Sequence, residues 1–306
     1  METMLKWWLL SEGKIVENKI VTNVIIQSKN LINKVGILVR RPLHPIILKQ
    51  MPGRRNFDLV VLNDKPKVDG PALYIVSHST PYDAPVTCEV LQEHFYILVG
   101  KQKLQLLDRA FFQLNGRHYV DRSDSTKQQK VADNIVRTIN NGMNYVIYSE
   151  QTWCIKPSTP INHLRRGWVD IAKRAHCPVI PLALEFYELT DNVCYAKFGE
   201  PFIVEAGEDK IAVNNRLEDT LATLKFDIWN QFPIQQKKTI DPTFWQEMVK
   251  MRQSGYPGLD VTSDEESRFV IGRNDDPEVV LNSVPFLIGL QKVDEGLEQK
   301  NKQLIK

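Results

Sequence analysis

The middle of the chain, residues 72–204, alternates short apolar runs with longer stretches in which apolar and polar residues mix. The runs have the length of buried strands, and the mixed stretches have the apolar spacing of amphipathic helices. The predicted strands are 72–77, 95–99, 118–121, 144–149, 178–185 and 193–198, and the predicted helices are 83–93, 103–114, 125–141, 165–175 and 214–231. This alternation predicts an α/β fold with a central, largely parallel or mixed sheet and flanking helices.

The residues before this region predict a helical segment. Apolar residues recur at spacings of three, four and seven from Ile20 to Leu38, and Pro42 ends the pattern. Lysines and arginines lie between and after the apolar positions. Such a helix either packs on the domain or lies in a membrane interface, with Trp7 and Trp8 as further anchors. The sequence leaves both interpretations open.

These patterns divide the chain into three parts. Residues 1–50 are an N-terminal helical segment and a candidate for membrane association, 51–234 are the main domain, and 235–306 are a C-terminal extension without an assigned role. No apolar run reaches the roughly 18–20 residues that span a bilayer. The apolar run after Lys6 is too short for the core of a secretory signal. We therefore expect a cytoplasmic location, peripheral on the inner face of the membrane.

Charge and cysteine usage exclude two classes of function. The net charge is +2, with a sequence pI near 8.2, so nucleic acid is not an expected partner. Local basic patches that face an anionic membrane remain compatible with this balance. The four cysteines form no C-x-x-C pair and have no histidine cluster beside them. They are expected to be buried or half-buried thiols, and no metal site is expected.

Residues 78–83 (HSTPYD) directly follow the predicted strand at 72–77. The carboxyl ends of strands are where α/β sheets place their ligands. A turn at Pro81 brings the Asp83 carboxylate to one nitrogen of His78, which leaves the other nitrogen free to take a proton from a hydroxyl. A chance pairing, in which Asp83 caps a helix beside an unrelated histidine, fits the same pattern.

Three further groups of residues lie where predicted strands begin or end. Residues 116–122 (GRHYVDR) combine a glycine turn with Arg122, whose planar cation suits a phosphate, or pairs with a surface carboxylate. Residues 149–152 (SEQT) and the later basic pair at 164–167 (LRRG) suit a polar head group, or are an ordinary strand exit and helix start. Residues 177–182 (CPVIPL) place a proline at each end of a buried strand, which either shapes a pocket wall or only bends the strand.

In this order and spacing, the four groups resemble the glycerophospholipid acyltransferase family, typified by 1-acyl-glycerol-3-phosphate acyltransferases. That family carries H-x-x-x-x-D, then G-x-x-[FY]-x-x-R, then E-G-T with a later basic residue and glycine, then a proline strand of V-P-[IVL] type. The resemblance covers residues 70–205. The matching residues are His78 and Asp83, Gly116, Tyr119 and Arg122, Glu150 and Thr152, Arg166 and Gly167, and Val179, Ile180 and Pro181.

The resemblance implies an acyl transfer from acyl-CoA or acyl carrier protein to the hydroxyl of a lysophospholipid such as 1-acyl-glycerol-3-phosphate, without a cofactor or metal. His78 would be the general base, and Asp83 would orient it. Arg122 and the Glu150 loop would hold the phosphate of the acceptor, and Pro181 would help to form the pocket. Backbone amides of the His78 turn are candidate donors to the oxyanion.

The chain departs from the family pattern in the third group. Gln151 stands where the family has glycine, Ser149 replaces a proline, and Trp153 stands where arginine is frequent. This departure admits an acceptor without a phosphate, and a catalytically silent lipid-binding relative is a further alternative. A hydrolase that uses Ser77 is disfavoured because the chain has no G-x-S-x-G turn.

Overall fold

The computed structural model describes residues 26–46, 57–100, 106–120, 125–154, 159–187 and 192–232. Several positions singled out in the sequence lie outside these residues. They are Trp7, Trp8, Arg122 and the whole C-terminal extension.

Seven strands of the described residues form one mixed sheet in the order β1-β7-β6-β2-β5-β3-β4. Neighbouring strands are parallel, except that β6 and β7 are antiparallel. The predicted α/β fold with a largely parallel or mixed sheet is therefore confirmed. The strands are β1 (Asp58–Val61), β2 (Leu73–Val76), β3 (Phe95–Gly100), β4 (Arg117–Val120), β5 (Asn144–Ile147), β6 (Val179–Tyr187) and β7 (Val193–Phe198).

Helices cover both faces of the sheet. They are α1 (residues 26–40, followed by a 3-10 turn at Arg41–Leu43), α2 (Asp83–Leu91), α3 (Leu106–Asn115), α4 (Ser125–Asn140), α5 (Gly167–Ala175) and α6 (Lys210–Gln231). Each predicted helix of the main domain is present. Helix α6 begins earlier than its apolar pattern because the Asp209 side chain accepts hydrogen bonds from the amides of Ile211 and Ala212.

The apolar core lies in two layers, one on each face of the sheet. Alternate residues of β2 supply both layers, so that Leu73 and Ile75 face one and Tyr74 and Val76 face the other. Helices α1, α4, α5 and α6 pack on the first layer, and α2 packs on the second. Strand β2 is thus buried on both faces. Because β2 is also the middle strand of the seven, the turn after it lies at the centre of one edge of the sheet.

Helix α1 both packs on the domain and leaves apolar residues in solvent. Ile37 is buried, and Asn33 donates a hydrogen bond to Thr138 of α4 at 2.9 Å. Leu31, Ile32 and Leu38 are 64–71% exposed. Among the described helices, none combines the length and the apolar character that crossing a bilayer requires.

All four cysteines are buried free thiols, as predicted. Within the described parts of the chain, His, Cys, Asp and Glu side chains form no group that could hold a metal ion.

Candidate active site

His78 and Asp83 meet at the turn between β2 and α2. Nδ1 of His78 lies 2.6 Å from Oδ2 of Asp83, whose side chain is 1% exposed. The same oxygen accepts the backbone amides of Ser79 at 2.7 Å and Thr80 at 3.0 Å. A carboxylate in this position holds the proton on Nδ1, so Nε2 carries the lone pair that a general base needs. The His78 side chain is 20% exposed, so the ring has access to solvent.

Two aromatic side chains fix the plane of the imidazole. Tyr148 stacks on His78 with ring centroids 4.7 Å apart, and Trp153 stands edge-on at 6.3 Å. The hydroxyl of Tyr148 is in turn hydrogen-bonded to Thr87 of α2 at 2.8 Å. The histidine is therefore held by its Asp83 contact and by packing against two aromatic rings.

Glu150 binds the backbone on either side of the site. Its side chain is fully buried, and its two oxygens accept the amides of His78 and Asn162, each at 2.6 Å. Burial raises the pKa of Glu150 to about 8, against the opposing influence of Lys225 and the two amides. The carboxylate thus joins the turn after β2 to the loop before α5. These contacts make Glu150 a residue that positions His78.

Lys225 of α6 is a site residue that the motifs do not reveal. It is 3% exposed, its Nζ lies 2.8 Å from Oε2 of Glu185, and it donates to Oγ of Ser79 at 3.1 Å. Burial by itself would lower the pKa of Lys225, but Glu185 and Glu150 reverse that effect and the pKa is raised. The buried ammonium of Lys225 therefore stabilises the turn after β2 through its hydrogen bond to Ser79.

A lysine on the apolar stripe of a helix is the sequence signal for this residue. Leu221 and Ile228 flank Lys225 at helical spacing, and both are completely buried. A lysine at such a position requires a buried partner.

The loop after β5 places Gln151 at a backbone position that glycine adopts more readily. Gln151 adopts φ = 66°, in the left-handed region where glycine is favoured. Its amide donates to the carbonyl of Tyr148 at 3.1 Å, which closes a tight turn. Thr152 is buried, and its hydroxyl has no hydrogen-bond partner among the described residues.

Three further predicted site residues, Arg166, Gly167 and Pro181, belong to α5 and β6 or to the loop before α5. Arg166 ends the loop that Glu150 holds, and Gly167 begins α5. Pro181 pairs with Ile75 in the sheet and packs against Gly199, where an added Cβ would lie 3.1 Å from the proline ring.

Gly116 and Tyr119 lie on the far side of the sheet. Strand β4 is three strands from β2, which is about 14 Å at the usual strand spacing. Gly116 has φ = 108°, and an added Cβ would lie 2.6 Å from the ring of Tyr96. Tyr119 is 39% exposed and stacks under the guanidinium of Arg117. A glycine is therefore needed at position 116 for the fold, because of its positive φ and the close approach of the Tyr96 ring.

The turn leaves its own backbone amides engaged. Those of His78, Ser79 and Thr80 donate to carboxylates, and the amide of Tyr82 donates to the Thr80 hydroxyl. Each of these amides already has an acceptor, so an oxyanion would have to replace it; the expectation that amides of this turn receive the oxyanion stays a prediction.

Comparisons with known proteins find one matching family model and a similar solved structure. Residues 58–185 match the family model for Acyltransferase. No curated protein matches the chain. Among solved structures, the crystal structure of the 1-acyl-sn-glycerophosphate (LPA) acyltransferase PlsC from Thermotoga maritima is similar, with 14% sequence identity and a TM-score of 0.49, covering 64% of this chain and 82% of that chain.

The matched segment spans the motifs from which the resemblance was drawn, from the His78 turn to the proline strand at Pro181. The resemblance to an acyltransferase family is thereby confirmed. Residues 58–185 are therefore similar to the Acyltransferase family.

Proposed function

We propose that the protein transfers a fatty acyl group from acyl-CoA or acyl carrier protein to the hydroxyl of a lysophospholipid such as 1-acyl-glycerol-3-phosphate. The observation that carries this proposal is the contact of 2.6 Å between His78 Nδ1 and the buried Asp83 carboxylate, with the ring open to solvent. An acyltransferase needs a base for the acceptor hydroxyl and no redox or metal chemistry. The work would belong to phospholipid metabolism at the inner face of the membrane.

The proposed reaction begins when Nε2 of His78 takes the proton of the acceptor hydroxyl. The hydroxyl oxygen then attacks the thioester carbonyl carbon, and a tetrahedral oxyanion forms. The oxyanion collapses, the C–S bond breaks, and the proton on Nε2 passes to the departing sulfur. Asp83 stabilises the imidazolium during the interval in which His78 carries both protons.

We assign the phosphate of the acceptor to Arg166 and Arg122. Arg166 lies at the end of the loop that Glu150 holds, and Arg122 follows β4 in sequence. An acceptor without a phosphate is the second candidate. Two departures from the family pattern favour it. Gln151 replaces glycine at a backbone position with positive φ, and Trp153, whose ring lies edge-on to His78, stands where arginine is frequent.

The test compares the purified protein with His78→Ala and Asp83→Asn. Each receives labelled acyl-CoA or acyl carrier protein with lysophosphatidic acid, and product is separated by chromatography. We expect His78→Ala to lower the rate by about 10²–10⁴-fold, because the base is removed. Circular dichroism checks that each variant is folded. Full turnover by folded His78→Ala would exclude this mechanism.

An acceptor screen then separates the two candidates. If the wild type fails with lysophosphatidic acid, the same assay is run with glycans and lipid alcohols. Arg122→Ala is expected to slow transfer to phosphorylated acceptors selectively. An equal loss with an acceptor that lacks phosphate would refute a phosphate contact of Arg122.

A further inference from the structure

A cavity outside the His78 turn lies between α1, α4 and the β3–β4 edge of the sheet. Its volume is about 530 Å³. None of its lining residues belongs to the His78 turn. Among the described residues that line it, five are cationic and one is a carboxylate: Lys29, Arg40, Arg117, Lys130, Arg137 and Asp133.

Neutral oxygens hold two of the guanidinium groups in place. Arg40 donates to the hydroxyl of Tyr96 at 3.0 Å and to the carbonyl of Gln113 at 3.3 Å. Arg137 donates to the side-chain oxygen of Asn134 at 2.7 Å. Neutral acceptors orient a guanidinium without cancelling its charge, and among the described residues neither arginine forms an ion pair, so both can attract an anion.

The carboxylate in the lining does little to balance this charge. Asp133 lies 2.6 Å from Nη2 of Arg174, a cation outside the cavity. The chain as a whole is nearly balanced, with 39 lysines and arginines against 37 acidic residues. The concentration of cations at this place is therefore a local property of the fold.

The same positive charge acts on His118, which is half-buried. Burial, followed by the repulsion of Arg40 and Arg137, lowers the pKa of His118 to about 4. A planar guanidinium fork matches the oxygens of a phosphate, and a lysine adds a mobile point charge.

Helix α1 joins the cavity to the exposed apolar surface. Lys29, Gly36 and Arg40 recur at helical spacing on the side that faces the cavity. Ile32 lines the cavity, and on the helix surface it adjoins the exposed Val35. A molecule that carries a phosphate beside acyl chains could bind the cations of the cavity with its phosphate and contact the exposed apolar residues of α1 with its chains.

We propose that this cavity is a phosphate-binding site, separate from the His78 site, that takes the headgroup phosphate of an anionic membrane lipid. The site does not depend on acyl transfer, so its test and that of the proposed reaction are independent.

The test uses the full chain with two exposed lysines of the cavity changed, Lys29→Gln and Lys130→Gln. The matched control carries Lys34→Gln and Lys67→Gln, which remove the same charge from exposed positions outside the cavity. The first measurement is calorimetric titration with inorganic phosphate at low salt. We expect the cavity variant to bind phosphate about tenfold more weakly than the wild type, and the control to match the wild type.

Two results of the titration would overturn the site. One is no phosphate binding by the wild type, and the other is an equal loss in the cavity variant and the control, which would indicate general surface charge. Thermal melting shows whether either variant is unfolded. If the cavity variant is, Lys130→Gln alone, on the exposed face of α4, replaces it.

Vesicle flotation decides the source of the phosphate. We expect the wild type to float with phosphatidylglycerol vesicles more than with phosphatidylcholine vesicles, and the cavity variant to lose that preference. If phosphate binding depends on the cavity but flotation does not, the ligand is a soluble phosphate and the lipid assignment is wrong.

Discussion

At the scale of single residues, the His78 site is built from side chains that are far apart in sequence. His78 and Asp83 are five residues apart, and a local pattern was enough to predict both. Lys225 and Ser79 are 146 residues apart, and no local pattern joins them. The sequence predicts Glu150 as part of the phosphate site. In the structure its carboxylate accepts the amides of His78 and Asn162, and this link between two loops is visible only in the folded backbone.

Replacing Lys225 by methionine should impair both stability and turnover. Lys225→Met leaves the Glu185 carboxylate without its buried cation, which costs about 3–5 kcal/mol of unfolding free energy. Urea unfolding measures this loss. The control is Lys197→Met, which breaks the more exposed pair with Asp227 and is expected to cost less than about 1 kcal/mol.

A double variant distinguishes support of the fold from support of the His78 turn. Adding Glu185→Gln to Lys225→Met removes the unpaired charge and should restore much of the unfolding free energy. We expect kcat to stay low, because Ser79 still lacks its donor. Recovery of kcat together with stability would show that Lys225 acts on the fold alone.

At the scale of elements, the periodic patterns predicted most helices and strands, and misjudged those whose bounds depend on other elements. Strand β1 was not predicted because three of its four residues are exposed at the sheet edge, so it has no buried alternation. Its existence depends on pairing with β7, which follows it by more than a hundred residues. Strand β4 was predicted one residue late, where the glycine turn meets β3.

Two glycines with positive φ allow a matched test of the start of β4. Gly116→Ala forces a Cβ to within 2.6 Å of the Tyr96 ring in addition to backbone strain. Gly142→Ala, at φ = 83°, meets the same kind of strain with open space around it. We expect Gly142→Ala to cost about 1 kcal/mol and Gly116→Ala to cost about 2–4 kcal/mol by urea unfolding. Equal costs would show that Tyr96 yields without penalty.

At the scale of the whole molecule, buried ionisable groups make stability depend on pH in opposing ways. His94 and His118 both have a pKa lowered to about 4, chiefly by burial, so the folded state resists their protonation. Their contribution is complete above pH 6.5 and is lost as the pH falls toward 4. Glu150, with its pKa raised to about 8, acts oppositely, and its burial costs stability as the pH rises from 4.5 to 8.

A histidine variant isolates one of these contributions. Between pH 7 and pH 5, His118 should remove about 2 kcal/mol of unfolding free energy from the wild type. His118→Gln should lack that part of the decrease. The exposed His176 supplies the control, and His176→Asn should retain the wild-type decrease. If His118→Gln and the wild type lose stability in parallel, His118 is not the group responsible.

The central position of β2 has a consequence for how the chain reaches its folded state. Leu73 pairs with Tyr145 on one side and with Val179 on the other, so both neighbours of this strand are synthesised long after it. Lys225 comes later still, near the end of α6. During synthesis, β2 is therefore an apolar segment without its partner strands until β5 and β6 have emerged from the ribosome. The site becomes complete only once most of the domain has emerged. Long-range pairing of this kind favours slow folding and leaves apolar surface exposed while the chain is incomplete.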